Sequence, residues 1–197
     1  MFSLVFNGCK MTFFLMWIFA LPVFMEMDYI LKLWLQFPPE QIVLFTRLAL
    51  IEVLIDTICL PLMTAARAPG KMMGYELSLG IIQIFIFITD YLIFKFIKAP
   101  AYIVFVVATI GNFLMFFIRL INLKYLVDFS ILLFMRKVIS RISVVMCMTL
   151  GISYGIHLVR PYNFGGVCLS IFVSVVFSII FMGYIGLNKM ERQKIFQ

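Results

Sequence analysis

Residues 45–64 read FTRLALIEVLIDTICLPLMT, an almost unbroken apolar run that carries Arg47, Glu52 and Asp56 inside it. As a helix, a run of this length rises about 30 Å, enough to cross the hydrocarbon core of a bilayer. A charge near the middle of that core costs roughly 2.5–3.5 kcal/mol on insertion scales, so these side chains have to face water or protein rather than lipid. If the span starts at Ile42, Glu52 lies about 15 Å in, close to the midplane of a core about 30 Å thick. Asp56, one turn on, shares its face, while Arg47 is displaced by about 140° around the axis. Two carboxylates on one face suit a proton or cation relay. They equally suit hydrogen bonds or an ion pair with a neighbouring helix.

Composition extends this reading to the whole chain. With 64% hydrophobic and 13% charged residues and a mean hydropathy of +1.13, 197 residues hold more apolar surface than a water-soluble core hides, which makes an all-α polytopic membrane protein the expected class. Apolar runs place six spans near 11–27, 42–65, 76–97, 100–121, 138–158 and 165–187. Alternating the loops between two sides puts Lys10, Arg67, Lys71, Arg119, Lys124, Arg136, Lys137, Arg141, Lys189, Arg192 and Lys194 together. Only Lys32, Lys95, Lys98 and Arg160 fall opposite. The positive-inside rule makes the first side cytoplasmic, with both termini inside. The net charge of +7 is then topogenic charge beside anionic lipid and calls for no nucleic-acid partner.

Shorter features fill in the map. The N-terminal apolar run lacks a small-residue cleavage site and is expected to stay as a span. In DYILKLWLQF, 28–37, Asp28, Lys32 and Gln36 share one helical stripe, and Tyr29 and Trp34 suit headgroup level. Pro38-Pro39 would end that interfacial helix. Asn112, in mid-span, can bond across helices, Asp90 can pair with Lys95 or Lys98, and Arg119 can snorkel to the inner interface. The sole histidine, His157, is expected at an interface beside Arg160. Gly151 and Gly155 form a GxxxG, and Gly166, Ser170, Ser174 and Ser178 recur every four residues, so both patterns are candidates for close helix packing.

Chemistry-bearing motifs are missing. The four cysteines lie far apart with no histidine cluster, which argues against zinc, haem or a redox pair, and the expected cofactor and metal complement is none. No phosphate loop or Ser/His/Asp arrangement appears, so an enzyme is not expected.

The segments LVFNGCKMTFFLMWIFALPVFMEMDYILKLWL (4–35), FTRLALIEVLIDTICLPLMTAARAPGKMMGY (45–75) and FMGYIGLNKMER (181–192) resemble the C-terminal part of bacterial polysaccharide or lipopolysaccharide biosynthesis flippases. These belong to the superfamily that includes the multidrug and toxin extruders. The resemblance covers essentially the whole chain and rests most on DYILKLWL, on Arg47-Leu48, on Leu54-Ile55-Asp56 with Pro61-Leu62, and on Thr64-Ala65-Ala66 before Gly70-Lys71. It implies most of one lobe of a two-lobe, O-antigen-flippase-like exporter. Residues 1–130 would be a partial C-terminal lobe of four spans plus the helix at 28–37, and 131–197 two additional spans. It further implies a bacterial cytoplasmic (inner) membrane location and an undecaprenyl-type lipid-linked oligosaccharide as cargo. Arg47 would then contact pyrophosphate or acidic sugar, Glu52 and Asp56 would couple an ion or proton, and Asn112 would be a further binding candidate. Ile86-Phe87-Ile88 and Ala68-Pro69-Gly70 depart from the family pattern. By the same template the chain is a truncated piece whose N-terminal lobe would be a separate partner. The alternative is a non-transporting helical bundle, or an assembly partner of a separately encoded half-transporter.

Overall fold

The computed structural model describes residues 2–35, 39, 41–70, 72–97, 102–161 and 163–187. Among them there is no strand, and the helices are α1 (Phe2–Met25), α2 (Met27–Trp34), α3 (Ile42–Arg67), α4 (Met72–Leu92), α5 (Tyr102–Val127), α6 (Ile131–Phe134), α7 (Ser140–Val159) and α8 (Phe164–Phe181). A π-helical turn at Met135–Ile139 joins α6 to α7, and two more extend α4 through Ile97 and α8 through Gly186. Among the described residues, five helices are long and apolar enough to cross a membrane: Phe2–Met25, Met73–Phe96, Tyr102–Val127, Ile131–Val159 and Phe164–Gly186. The remaining expected span corresponds to α3, 26 residues long and set apart by its internal charges. The chain is an all-α, multi-pass membrane protein.

The first span begins at Phe2 rather than near residue 11, so Lys10 lies inside α1 and only 2% exposed rather than in a loop. Apolar residues on both sides of this single lysine let the helix run through it. Pro22 sits inside α1, and the chain breaks four residues later, where the Glu26 amide donates to the Pro22 carbonyl at 3.0 Å and α2 begins. Helix α2 buries Met27 and Leu31 on one face and leaves Leu33 and Trp34 exposed. It ends at Trp34. Gln36, Phe37, Pro38, Lys71, Lys98, Lys189, Arg192 and Lys194 lie outside the described residues. Asp128, with φ at 51°, is a left-handed residue directly after α5, and Gly70, with φ at 73°, follows α3.

The chain divides into two compact units, residues 1–9 with 39–133 and residues 10–38 with 134–197. These units follow packing, whereas a boundary near residue 130 follows the flippase template. In the first unit α5 packs on both α3 and α4. The rings of Phe45 and Phe105 lie 4.9 Å apart, Gly111 leaves room for Ile86 of α4, and the Asn122 amide donates to the Ser78 hydroxyl at 2.7 Å. The start of α1 meets α3 at its proline: a Cβ on Gly8 would lie 3.3 Å from the Pro61 ring, and the Cys9 thiol donates to the Ile58 carbonyl at 3.3 Å. Phe2 and Phe6 both meet the edge or face of Phe129.

In the second unit α7 packs on α8. Helix α7 buries Ile142, Val145, Thr149 and Ser153, a stripe at spacings of three and four, and α8 buries Gly166, Ser170, Ser174 and Ser178. The Trp17 indole, stacked on Phe13, donates to the Thr149 hydroxyl at 3.0 Å. A Cβ on Gly186 would meet the Phe14 ring at 2.5 Å. The Asn163 side chain caps α8 by accepting from the Gly166 amide at 2.8 Å.

Candidate functional site

Helix α3 carries the charged face anticipated from its sequence. Glu52 is half-buried and its carboxylate accepts from the Thr109 hydroxyl of α5 at 3.1 Å. That hydroxyl also points at the Phe105 carbonyl, at 2.8 Å. One proton cannot serve both fully, so the bond to Glu52 is a shared one and the carboxylate keeps unused acceptor capacity. Asp56 is exposed one turn further along. Arg47 is half-buried towards the other end of α3, and Asn112 is half-buried on α5 beside Gly111. No hydrogen bond joins Glu52, Asp56 and Asn112 to one another among the described residues. The structure therefore presents a polar strip along α3, with Thr109 as the partner that pattern reading did not pick out.

Other polar residues settle differently from their sequence expectations. Lys95 lies over the rings of Tyr91 and Phe96, at 5.6 and 5.8 Å, rather than on Asp90. Arg119 is half-buried on α5, and Tyr75 of α4 is only 2% exposed. Gly151 and Gly155 are exposed, and a Cβ at either would meet nothing within 4 Å. Gly151 is about 200° from Thr149 around the axis, so the GxxxG lies opposite the stripe that α7 buries. The small stripe of α8 is the one inside, with Ser170, Ser174 and Ser178 each at most 1% exposed.

The best-connected polar cluster is one the sequence left unmarked. Glu26, at the break between α1 and α2, has a side chain with no exposed surface, and it pairs with the guanidinium of Arg160, itself 1% exposed. The Ser170 hydroxyl donates to Glu26 Oε1 at 2.8 Å, and His157 Nδ1 lies 3.2 Å from the same oxygen. The Arg160 Nε lies 3.4 Å from His157 Nδ1. Because Nδ1 cannot both donate and accept, the closer carboxylate takes its proton and the longer guanidinium approach is a contact only. His157 is thus engaged with the Glu26–Arg160 pair at the end of α7. Its side chain is 31% exposed, which makes it the cluster's opening to the outside. Opposite charges flanking two apolar runs, Glu26 after the first and Arg160 after the fifth, were the available signal.

No protein-family model matches the chain, and neither a curated protein nor a solved structure is detectably similar to it. The flippase resemblance therefore rests on the residues quoted for it. The geometry above carries the rest of the functional argument. It offers a polar strip on a membrane-length helix and an ion-paired cluster around a buried carboxylate, two arrangements with different chemical capacities. The strip has acceptor oxygens to spare; the cluster has its carboxylate committed.

Proposed function

We propose that the chain acts in transmembrane transport, as part of a flippase that carries an undecaprenyl-type lipid-linked oligosaccharide across the bacterial cytoplasmic membrane. The observation that carries this reading is Asp56, a carboxylate left exposed on a membrane-length helix one turn from half-buried Glu52. Lipid does not tolerate such a strip, so water or a polar cargo is its natural neighbour. Arg47 supplies a guanidinium for bidentate contact with pyrophosphate oxygens, and the two carboxylates serve ion or proton coupling. Transport would follow alternating access, the head group crossing through a polar cavity while the polyprenyl tail stays in lipid.

The same exposed carboxylate supports a second reading, in which α3 is an assembly face covered by a separately encoded half-transporter. The test is reconstitution of the full chain in proteoliposomes with a fluorescent polyprenyl-diphosphate oligosaccharide, reading the fraction flipped between leaflets. Flipping above protein-free vesicles that falls at least about tenfold in D56N and R47A, with folding unchanged, is the expected result. Flipping that is absent, or equal in the variants, would reject transport by this chain alone. A D56C variant that then crosslinks to a second membrane chain would establish the assembly reading.

A further inference from the structure

Hydroxyls on membrane helices readily turn back on their own backbone, and this chain shows the habit. Thr46, Thr64, Thr89 and Thr149 each donate to the carbonyl four residues earlier, and Thr57 and Ser78 to the one three residues earlier, at 2.7 to 3.1 Å. Ser153, Ser174 and Ser178 do not. They are at most 1% exposed, and among the described residues their hydroxyls hydrogen-bond to nothing. A buried hydroxyl left in that condition carries its full desolvation penalty, and in folded proteins such groups are met by another protein group or by ordered water.

The three serines fall on one ladder. His157 of α7 and Ser170 of α8 both reach Oε1 of Glu26, which puts those two residues and the end of α1 at one depth. One helical turn inward from there lie Ser153, four residues before His157, Ser174, four after Ser170, and Pro22, four before Glu26. A second turn inward lie Thr149, Ser178 and Ile18, and the bond from the Trp17 indole to the Thr149 hydroxyl confirms that register independently. Ser153 belongs to the stripe that α7 buries, Ser174 and Ser178 to the stripe that α8 buries, and the two helices pack on each other. Pro22 adds an acceptor to the second rung: lacking an N–H, it leaves the Ile18 carbonyl without its usual helical donor.

We propose that the seam of α1, α7 and α8 is a binding site for internal water, one molecule joining the Ser153 and Ser174 hydroxyls and another joining the Ser178 hydroxyl to the Ile18 carbonyl. Each water then has two polar partners, and a water joins groups that stand too far apart for a direct bond. Neutral hydroxyls suit water better than a cation here, because the carboxylate on this ladder, Glu26, already faces the guanidinium of Arg160. Water enters at the Glu26 end, where the His157 side chain is 31% exposed. The second unit thereby carries a hydrated track that runs two turns inward from the cluster.

The experiment measures magnetisation transfer from water to the full chain in lipid bilayers by solid-state NMR, water itself being the probe. The expected result is water contact at Ser153, Ser174 and Ser178 and none at Val145 and Leu120, which are as deeply buried but apolar. In the double variant S153A/S174A the contacts at positions 153 and 174 are expected to be lost while the one at Ser178 persists, and an unchanged Trp17 indole resonance certifies the fold around Thr149. The native measurement needs no variant, so a misfolded variant leaves the test standing. Dry serines in the native chain would overturn the proposal, since the hydroxyls would then be turned back on their own helices. So would contacts equally strong at Val145 and Leu120, which would mean general leakage, or contacts at positions 153 and 174 that survive in the folded double variant. Contacts that disappear when sodium is exchanged for N-methylglucamine would also overturn it, in favour of a bound cation.

Discussion

Glu52 and Glu26 are both glutamates in an apolar chain, and they are treated in opposite ways. Glu52 sits in mid-helix, half-buried, with a shared hydroxyl from Thr109 as its hydrogen-bond partner. Glu26 sits at a helix break with no exposed side-chain surface, and receives a guanidinium, a hydroxyl and an imidazole. A helix interior uses its own backbone donors and acceptors internally, so a charge there depends on whatever a neighbouring helix offers. At a break, three segments converge and can each bring a polar group. The break therefore gathers a polar cluster around its carboxylate, while the mid-helix carboxylate keeps unused acceptor capacity.

Removing the cluster's cation should have the largest effect. Arg160→Ala leaves Glu26 buried without its counter-charge, at an expected cost of about 3–5 kcal/mol, read by reversible unfolding in mixed micelles. Replacing both partners, E26M with R160M, should recover most of that loss, because an apolar pair needs no compensation. Next comes Gly186→Leu, which drives a side chain into the Phe14 ring and should destabilise the second unit by about 1–3 kcal/mol. On the other side of the comparison, Thr109→Val removes only the shared donor to Glu52, and a cost near 1 kcal/mol is expected in the same assay. Smallest is Gly151→Ala, where nothing lies within 4 Å of the new methyl, and a change within about 0.5 kcal/mol is expected. A large loss there would show that the GxxxG face is covered by something in the membrane.

Much of the fold is legible because a bilayer allows few structures: apolar runs of sufficient length become helices, and the spans after the first lie close to where hydropathy puts them. The helix ends were harder. Lys10 looked like a boundary and is an interior residue of α1, since one lysine does not interrupt a helix whose flanks are apolar. Periodicity distinguished the serine stripe of α8 but could not choose the face of α7, where the buried side follows Thr149 and Ser153 rather than the glycines. At the candidate site, Arg47, Glu52 and Asp56 stood out because charge is costly in mid-span. Glu26, Arg160 and His157 did not, because each looked like an ordinary end-of-helix residue. Their meeting joins positions 134 and 131 residues apart in the chain, which no local pattern encodes.

The most direct test of the contrast is the unfolding free energy of E26A and E52A, measured side by side in the same micelles. A loss of about 3–5 kcal/mol for E26A against about 1 kcal/mol for E52A is the predicted result. Equal losses, or a larger one for E52A, would contradict the assignment of Glu26 to the framework and the proposal that Glu52 belongs to a strip held open for transport.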